Sequence, residues 1–176
     1  MSPALTFNRS LGQLLRATGL SWLATLGFDF LLHGGLLAGL YQRQSPFLLP
    51  PLEAFRRVPL GYLSFLILAA LLTGLMAQLE IDGLRRGAGF GLLLGAMIWG
   101  ALCLGLYSIS SAAPDLLWGW FAGQTLELGL AGAVVGADLG GMKARRLILA
   151  VIGWVILAFV LTVALQSLGL APVQRL

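Results

Sequence analysis

Two acids and the chain's only histidine lie inside stretches that are otherwise apolar. Asp29 and His33 lie in residues 19–41, and Glu127 lies in a later apolar stretch, about one helical turn after Gln124. A charge at the centre of a bilayer costs at least about 2.5–3.5 kcal/mol on insertion scales, so such residues are rare and mark proton relays, ion pathways or substrate pockets. We therefore predict that Asp29, His33, Gln124 and Glu127 bind a substrate or an ion, with no catalytic residue among them.

The spacing of these residues indicates how they meet. Asp29 and His33 are four residues apart, so they share one face of a helix. Ser21 and Thr25 continue this stripe, but hydroxyl side chains inside helices more often bond to their own backbone, and we expect that here. One face of the later stretch carries Trp120, Gln124, Glu127, Ala131 and Asp138. We expect that face to turn towards the helix that carries Asp29.

A structural role is the alternative for the same residues. A protonated Asp29 that bonds to His33, Gln124 or Glu127 would hold two helices together without any activity, and such bonds average well below about 2 kcal/mol in membranes. The chain would then be an accessory subunit of a membrane complex.

Metal binding has less support from the residue types. Asp29, His33 and Glu127 offer three ligands, but metal sites usually add a supporting shell, and the chain has one histidine and one cysteine. We predict no metal and no cofactor.

Enzymatic chemistry is also not expected. The serines of one loop, Ser108, Ser110 and Ser111, lie away from the predicted depth of His33 and have no nucleophile-elbow pattern around them. Polar residues at headgroup depth, namely Arg56, Arg57 and Asp115, are too sparse for a lipid-modifying enzyme. We predict that the protein is not an enzyme.

The composition is typical of an integral membrane protein. Hydrophobic residues make up 59% of the 176 residues and charged residues 10%, against about 25% charged residues in soluble domains. The net charge is +4, and most basic residues flank apolar stretches, which indicates contact with lipid headgroups. No cluster combines basic and aromatic residues, so we expect the lipid bilayer, and no nucleic acid, as a partner.

Five apolar stretches predict an all-α integral membrane bundle that forms a single transmembrane domain over residues 1–176. The five transmembrane helices are expected at about 19–41, 60–79, 87–107, 116–137 and 147–170, each long enough to cross a bilayer.

The segments before the first two helices are expected to lie at the membrane surface. Residues 1–17 have an apolar helical face, and residues 52–57 are expected to form one or two interfacial turns. Prolines in the loop of residues 42–59 are expected to delay the second helix until after Pro59.

Small residues at four-residue spacing predict close helix packing. Gly91 and Gly95 form one such pair, and Gly132, Gly136 and Gly140 form a longer run opposite the polar face of their helix. We expect these glycine-rich faces to support packing within the chain, or with a second copy or a membrane-complex partner.

The basic residues also predict an orientation. With a cytoplasmic N-terminus, seven basic residues fall inside and four fall outside, the latter being Arg43, Arg56, Arg57 and Arg175. Cytoplasmic loops carry an excess of Lys and Arg, which favours a cytoplasmic N-terminus and a C-terminus outside.

Two further stretches resemble a known group of proteins. The first helix ends in Leu40-Tyr41 before a proline-rich loop, and residues 91–137 read GLLLGAMIWGALCLGLYSISSAAPDLLWGWFAGQTLELGLAGAVVGA. Both resemble uncharacterised bacterial small polytopic membrane proteins of domain-of-unknown-function families. The resemblance covers about residues 19–137 and implies a multi-pass bundle in the bacterial inner membrane, without an assigned activity.

The sequence therefore predicts a small transporter-like membrane protein in which the intramembrane acids take up and release protons as a small solute or ion passes.

Overall fold

The protein was analysed as a computed structural model, which describes residues 9–43 and 45–172. The predictions for the beginning of the surface tail and for Arg175 in the orientation count lie outside those residues. Every regular element of the described residues is helical. The elements are α1 (Leu11–Leu31), a π-helical segment (Leu32–Leu36), α2 (Ala38–Tyr41), α3 (Pro51–Gln78), α4 (Leu84–Ile109), α5 (Pro114–Leu139) and α6 (Ala144–Ser167).

Three helices, α3, α4 and α6, are long and apolar enough to cross a membrane. They match the second, third and fifth predicted spans. Their outward faces carry many exposed large apolar side chains, among them Ile67, Met97 and Phe159. These faces are compatible with a membrane protein, whose outer surface meets lipid.

The other two predicted spans do not reach that standard of length and composition. The first is interrupted, because α1 ends at Leu31 and the π-helical segment follows. The fourth, α5, has 26 residues, of which 15 are buried, including Gln124, Glu127 and Asp138. Since neighbouring helices cover α5, its polar residues and glycines meet protein, and the helix is less apolar than a span that faces lipid.

The segments expected at the surface are parts of longer helices. Ser10 caps α1, its side chain accepting a hydrogen bond from the backbone N–H of Gln13, and Ala17 is fully buried. The prediction of a separate surface helix is therefore wrong for the described part of the tail.

Helix α3 begins nine residues earlier than predicted. Pro51 occupies its first turn, where a missing backbone N–H leaves no bond unmade. Pro59 lies inside the helix without ending it, although a proline there removes one backbone hydrogen bond. The predicted interfacial turns at 52–57 are thus the start of α3.

Helix α5 lies at the centre of the bundle and contributes to all three apolar clusters. In the first it supplies Ala131, Val135 and Leu139 against Leu72 and other residues. In the other two it packs with α6 and with α4, respectively. Helix α5 therefore contacts every other long helix of the described chain.

Glycines bring the backbones of α4 and α5 into direct contact. A Cβ on Gly87 would collide with the carbonyl oxygen of Gly132, and a Cβ on Gly91 would collide with that of Leu128. Gly83, which precedes α4 at a φ of 81°, donates its backbone N–H to the carbonyl oxygen of Gly136 at 2.7 Å. The predicted packing role of the glycine faces within the chain is therefore confirmed for this pair of helices.

We predict that Gly91→Ala destabilises the protein by about 1–3 kcal/mol, since overpacking against backbone cannot be relieved by a side-chain rotation. Thermal unfolding in detergent micelles measures the effect.

The control is Gly89→Ala, because nothing lies within 4 Å of a Cβ at Gly89. Alanine favours helix over glycine, so the control should be neutral or slightly stabilising. Equal behaviour of the two variants would contradict the backbone contact.

Candidate functional site

His33 lies in the π-helical segment that follows α1. Single π-helical turns occur frequently at functional sites, because the extra residue redirects the side chains around it. Helix α6 stabilises this turn, since the Gln166 side-chain amide donates to the carbonyl oxygen of Gly34 at 2.9 Å. A Cβ at Gly35 would lie 3.1 Å from a methyl group of Leu165. The absence of side chains at Gly34 and Gly35 therefore lets α6 pack closely against this turn.

Three polar side chains surround the His33 ring. Its Nε2 atom lies 3.2 Å from an Asp29 carboxylate oxygen and 3.2 Å from the amide nitrogen of Gln124. Its Nδ1 atom lies 2.5 Å from the Tyr41 hydroxyl oxygen. The structure therefore brings together three of the four residues predicted for the site and adds Tyr41.

Trp120 extends this cluster and determines the direction of its bonds. The indole N–H donates to the Tyr41 hydroxyl oxygen at 2.6 Å. The hydroxyl can then donate its own proton to Nδ1 of His33, which leaves the proton of a neutral ring on Nε2, facing Asp29. The Gln124 carbonyl oxygen has no partner, and a half-turn of that amide would let it accept from Nε2 as well.

The same geometry also suits a doubly protonated ring. In that state Nδ1–H donates to the Tyr41 oxygen and Nε2–H donates to the Asp29 carboxylate as an ion pair. The two states differ in the orientation of the Tyr41 hydroxyl and the Gln124 amide, and one set of heavy-atom positions suits both. Asp29 and His33 are also partly exposed, with 14% and 27% of their side-chain surface accessible.

Glu127 is separate from this network. It lies 13 residues after the start of α5 and 12 before its end, and it is 1% exposed. Neither carboxyl oxygen has a hydrogen-bond partner among the described residues, so no such bond joins it to Asp29. A buried polar group without a partner is costly, which makes Glu127 an exception that calls for an explanation.

A small cavity adjoins Glu127. Helices α1, α3 and α5 line it with Thr25, Phe65, Ala69, Ala131 and Glu127, among others. The space open to the centre of a water molecule is about 10 Å³, which is close to the minimum for one water. Glu127 therefore adjoins a cavity that α3 lines with four residues and α1 with one, Thr25.

Ser21 and Thr25 take no part in the network. The Ser21 hydroxyl donates to the carbonyl oxygen of Thr18 at 3.0 Å, and that of Thr25 donates to Trp22 at 2.7 Å. The prediction that they bond to their own helix is confirmed.

A second polar contact fixes the other end of α5. Asp138 is fully buried, and the Arg16 guanidinium donates to one of its carboxylate oxygens at 2.9 Å. Arg9 and Gln13 donate to the last carbonyl groups of α5, at Leu139 and Asp138. Cations near the C-terminal end of a helix stabilise it, because the last carbonyl groups carry a partial negative charge. The polar face of α5 therefore contacts α1, the residue range just before it and the π-helical segment after it. These contacts confirm the predicted pairing of α5 with the first helix.

Two residues of the cluster were not predicted as site residues. Tyr41 was predicted only as the end of the first helix, and Trp120 only as a member of the helix face that carries Gln124 and Glu127. In a regular α-helix, residues eight positions apart are rotated by about 80° from each other, so sequence spacing alone does not place Tyr41 beside His33. The π-helical turn absorbs the extra residue, and paired glycines next to an intramembrane histidine were the available signal.

Metal binding was tested on the same residues. Within residues 9–43 and 45–172, no three His, Cys, Asp or Glu side chains form a group that would hold a metal ion.

We predict that Tyr41→Phe destabilises the protein by about 1 kcal/mol, because it removes the hydroxyl that joins Trp120 to His33 and leaves both without that partner. The nitrogen chemical shifts of His33, the only histidine, should also move towards those of a ring with a mixed tautomer population.

Tyr107→Phe is the matched control, since Tyr107 is 63% exposed. It should change neither the unfolding temperature nor the imidazole signals. An unchanged His33 spectrum in Tyr41→Phe would show that the hydroxyl does not set the tautomer.

Comparison of the chain with protein-family models, with curated proteins and with solved structures found no match. The resemblance to bacterial inner-membrane proteins therefore stays a prediction from the sequence.

Proposed function

We propose that the protein is a multi-pass membrane protein in which α5, and α1 together with its π-helical extension, also cross the bilayer. The burial of α5 supports this, because a helix covered by neighbours does not need an apolar surface towards lipid. The proposed location is the bacterial inner membrane, with the N-terminus in the cytoplasm and the C-terminus outside.

The proposed activity is transporter-like, with protons moving in step with a small solute or ion. The observation that carries it is the set of contacts around His33, whose two ring nitrogens face Tyr41 on one side and Asp29 with Gln124 on the other. Ionisable residues at membrane depth, joined by hydrogen bonds, are the usual parts of proton relays. We propose His33 and Asp29 as the group that exchanges the proton.

Glu127 is the proposed second proton site. A carboxylate without a partner would be very costly there, so we propose that Glu127 carries its proton in this conformation. Releasing that proton would require water or another donor to reach the carboxyl group. The adjoining cavity, with space for about one water, suits a proton or a single small ion better than a larger solute.

A structural or accessory role is the second candidate, and one observation favours it. Asp29, His33, Tyr41 and Trp120 are joined by direct contacts, as expected for bonds that only hold helices together. A homo-oligomer or complex partner stays a prediction. Since Gly132 and Gly136 already pack against α4, we would look for such a partner on another surface.

We predict that wild-type protein in vesicles carrying a pH-sensitive dye admits protons when a pH gradient and a membrane potential are imposed. Asp29→Asn and Glu127→Gln should each lower that rate by about tenfold or more, since each removes a group that exchanges a proton. Both amides are close in shape to the acids that they replace.

Glu53→Gln is the control, because Glu53 is an exposed acid in the first turn of α3 and its loss should leave the flux unchanged. Wild-type vesicles as tight as protein-free ones would overturn the proton-linked proposal. If the site variants then lowered the unfolding temperature, the structural role would be supported.

A further inference from the structure

An apolar groove runs along α5 between α4 and α6. Its floor includes Ala133 and Ala137 of α5, and its walls include Leu84 of α4 with Leu147 and Trp154 of α6. The space open to the centre of a water molecule is about 220 Å³, far more than beside Glu127. The side chains that line the groove are apolar apart from the Trp154 indole N–H, which donates to the carbonyl oxygen of Ala24.

One end of the groove is strongly basic. Leu84 is followed directly by Arg85 and Arg86, and the lining residues of α6 are preceded by Lys143, Arg145 and Arg146. All five basic side chains belong to exposed residues. Of these five, only Arg86 has a carboxylate partner within the described residues, Asp82 at 3.4 Å. Four cations therefore stand at the groove's end without a neutralising acid within 4.0 Å.

We propose that this groove binds one anionic phospholipid, with an acyl chain along α5 and the phosphate among the basic residues. The apolar part follows α6 from Leu147 to Trp154, about 10 Å at the rise of a helix. A pocket with basic residues between membrane helices on the cytoplasmic side is a recognised form of phospholipid site. The proposed orientation puts these residues on that side.

The charge at the end of the groove favours an anionic lipid over a second copy of the chain. A second copy of the chain would bring the same basic residues, and its net charge of +4, against this end. The lipid proposal does not depend on the proton-linked function.

The test is native mass spectrometry of the purified full chain in detergent, with phosphatidylglycerol or phosphatidylcholine added. Wild-type protein should retain one phosphatidylglycerol in preference to phosphatidylcholine. Arg145→Gln with Arg146→Gln should weaken that retention by about tenfold or more, since each basic residue near a membrane surface contributes to the attraction of anionic lipid.

The matched control removes two other exposed arginines, Arg56 and Arg57, by the same change to Gln. It should leave phosphatidylglycerol retention within about twofold of wild type, because these residues lie on α3 away from the groove. Equal losses in the two double variants would overturn the proposal and indicate diffuse attraction by net charge.

A second pair of variants tests the acyl chain. Ala150→Phe fills the groove from an exposed lining position, whereas Ala101→Phe adds the same volume to an exposed position of α4 outside it. The first should reduce retained phosphatidylglycerol severalfold and the second should not. Unchanged retention in Ala150→Phe, or no preference of the wild type for phosphatidylglycerol, would also overturn the proposal.

Discussion

The backbone contact between α4 and α5 is the constraint on which the other helix positions depend. Gly87 and Gly91 meet Gly132 and Leu128 without an intervening side chain, and Gly83 adds a backbone hydrogen bond to Gly136. Without a hydrophobic driving force between helices in lipid, close packing of this kind supplies much of the attraction. It fixes the rotation of α5 about its axis, and the polar residues on the opposite side of that helix are thereby directed towards α1.

The polar side of α5 combines two kinds of contact. Asp138, next to the C-terminal end, pairs through one carboxylate oxygen with Arg16, and Gln124, one turn before Glu127, pairs through its amide nitrogen with His33. At its midpoint Glu127 is buried without a partner. A protein that needed only adhesion between two helices would be more stable with an apolar residue at that midpoint, because an unmatched buried carboxyl group opposes folding. This contrast within one helix face is the strongest physical argument for a role beyond packing.

The sequence predicted which segments form the helices of the bundle better than it predicted where those helices begin and end. The helices that are long and apolar enough to cross a membrane, α3, α4 and α6, were identifiable because their apolar length is visible in the sequence itself. The irregular geometry of α1 was not, since a π-helical turn depends on Gln166 and Leu165, which are more than a hundred residues away. Asp29 and His33 were predicted as neighbours because they are four residues apart in one helix, and Gln124 because the polar face of α5 was expected to turn towards them. The position of Tyr41 and the isolation of Glu127 depend on contacts that only the packed structure shows.

The π-helical turn also has a consequence for how the molecule is assembled. Its Gly34 carbonyl group takes its side-chain hydrogen bond from α6, the last helix of the described chain. A backbone carbonyl group without a full set of partners is costly in the hydrocarbon core of a bilayer. In the proposed arrangement, in which α1 and its π-helical extension cross the bilayer, the segment around His33 therefore completes its hydrogen bonds only after α6 has been synthesised. A truncated chain that lacks α6 would leave the Gly34 carbonyl group without its side-chain partner.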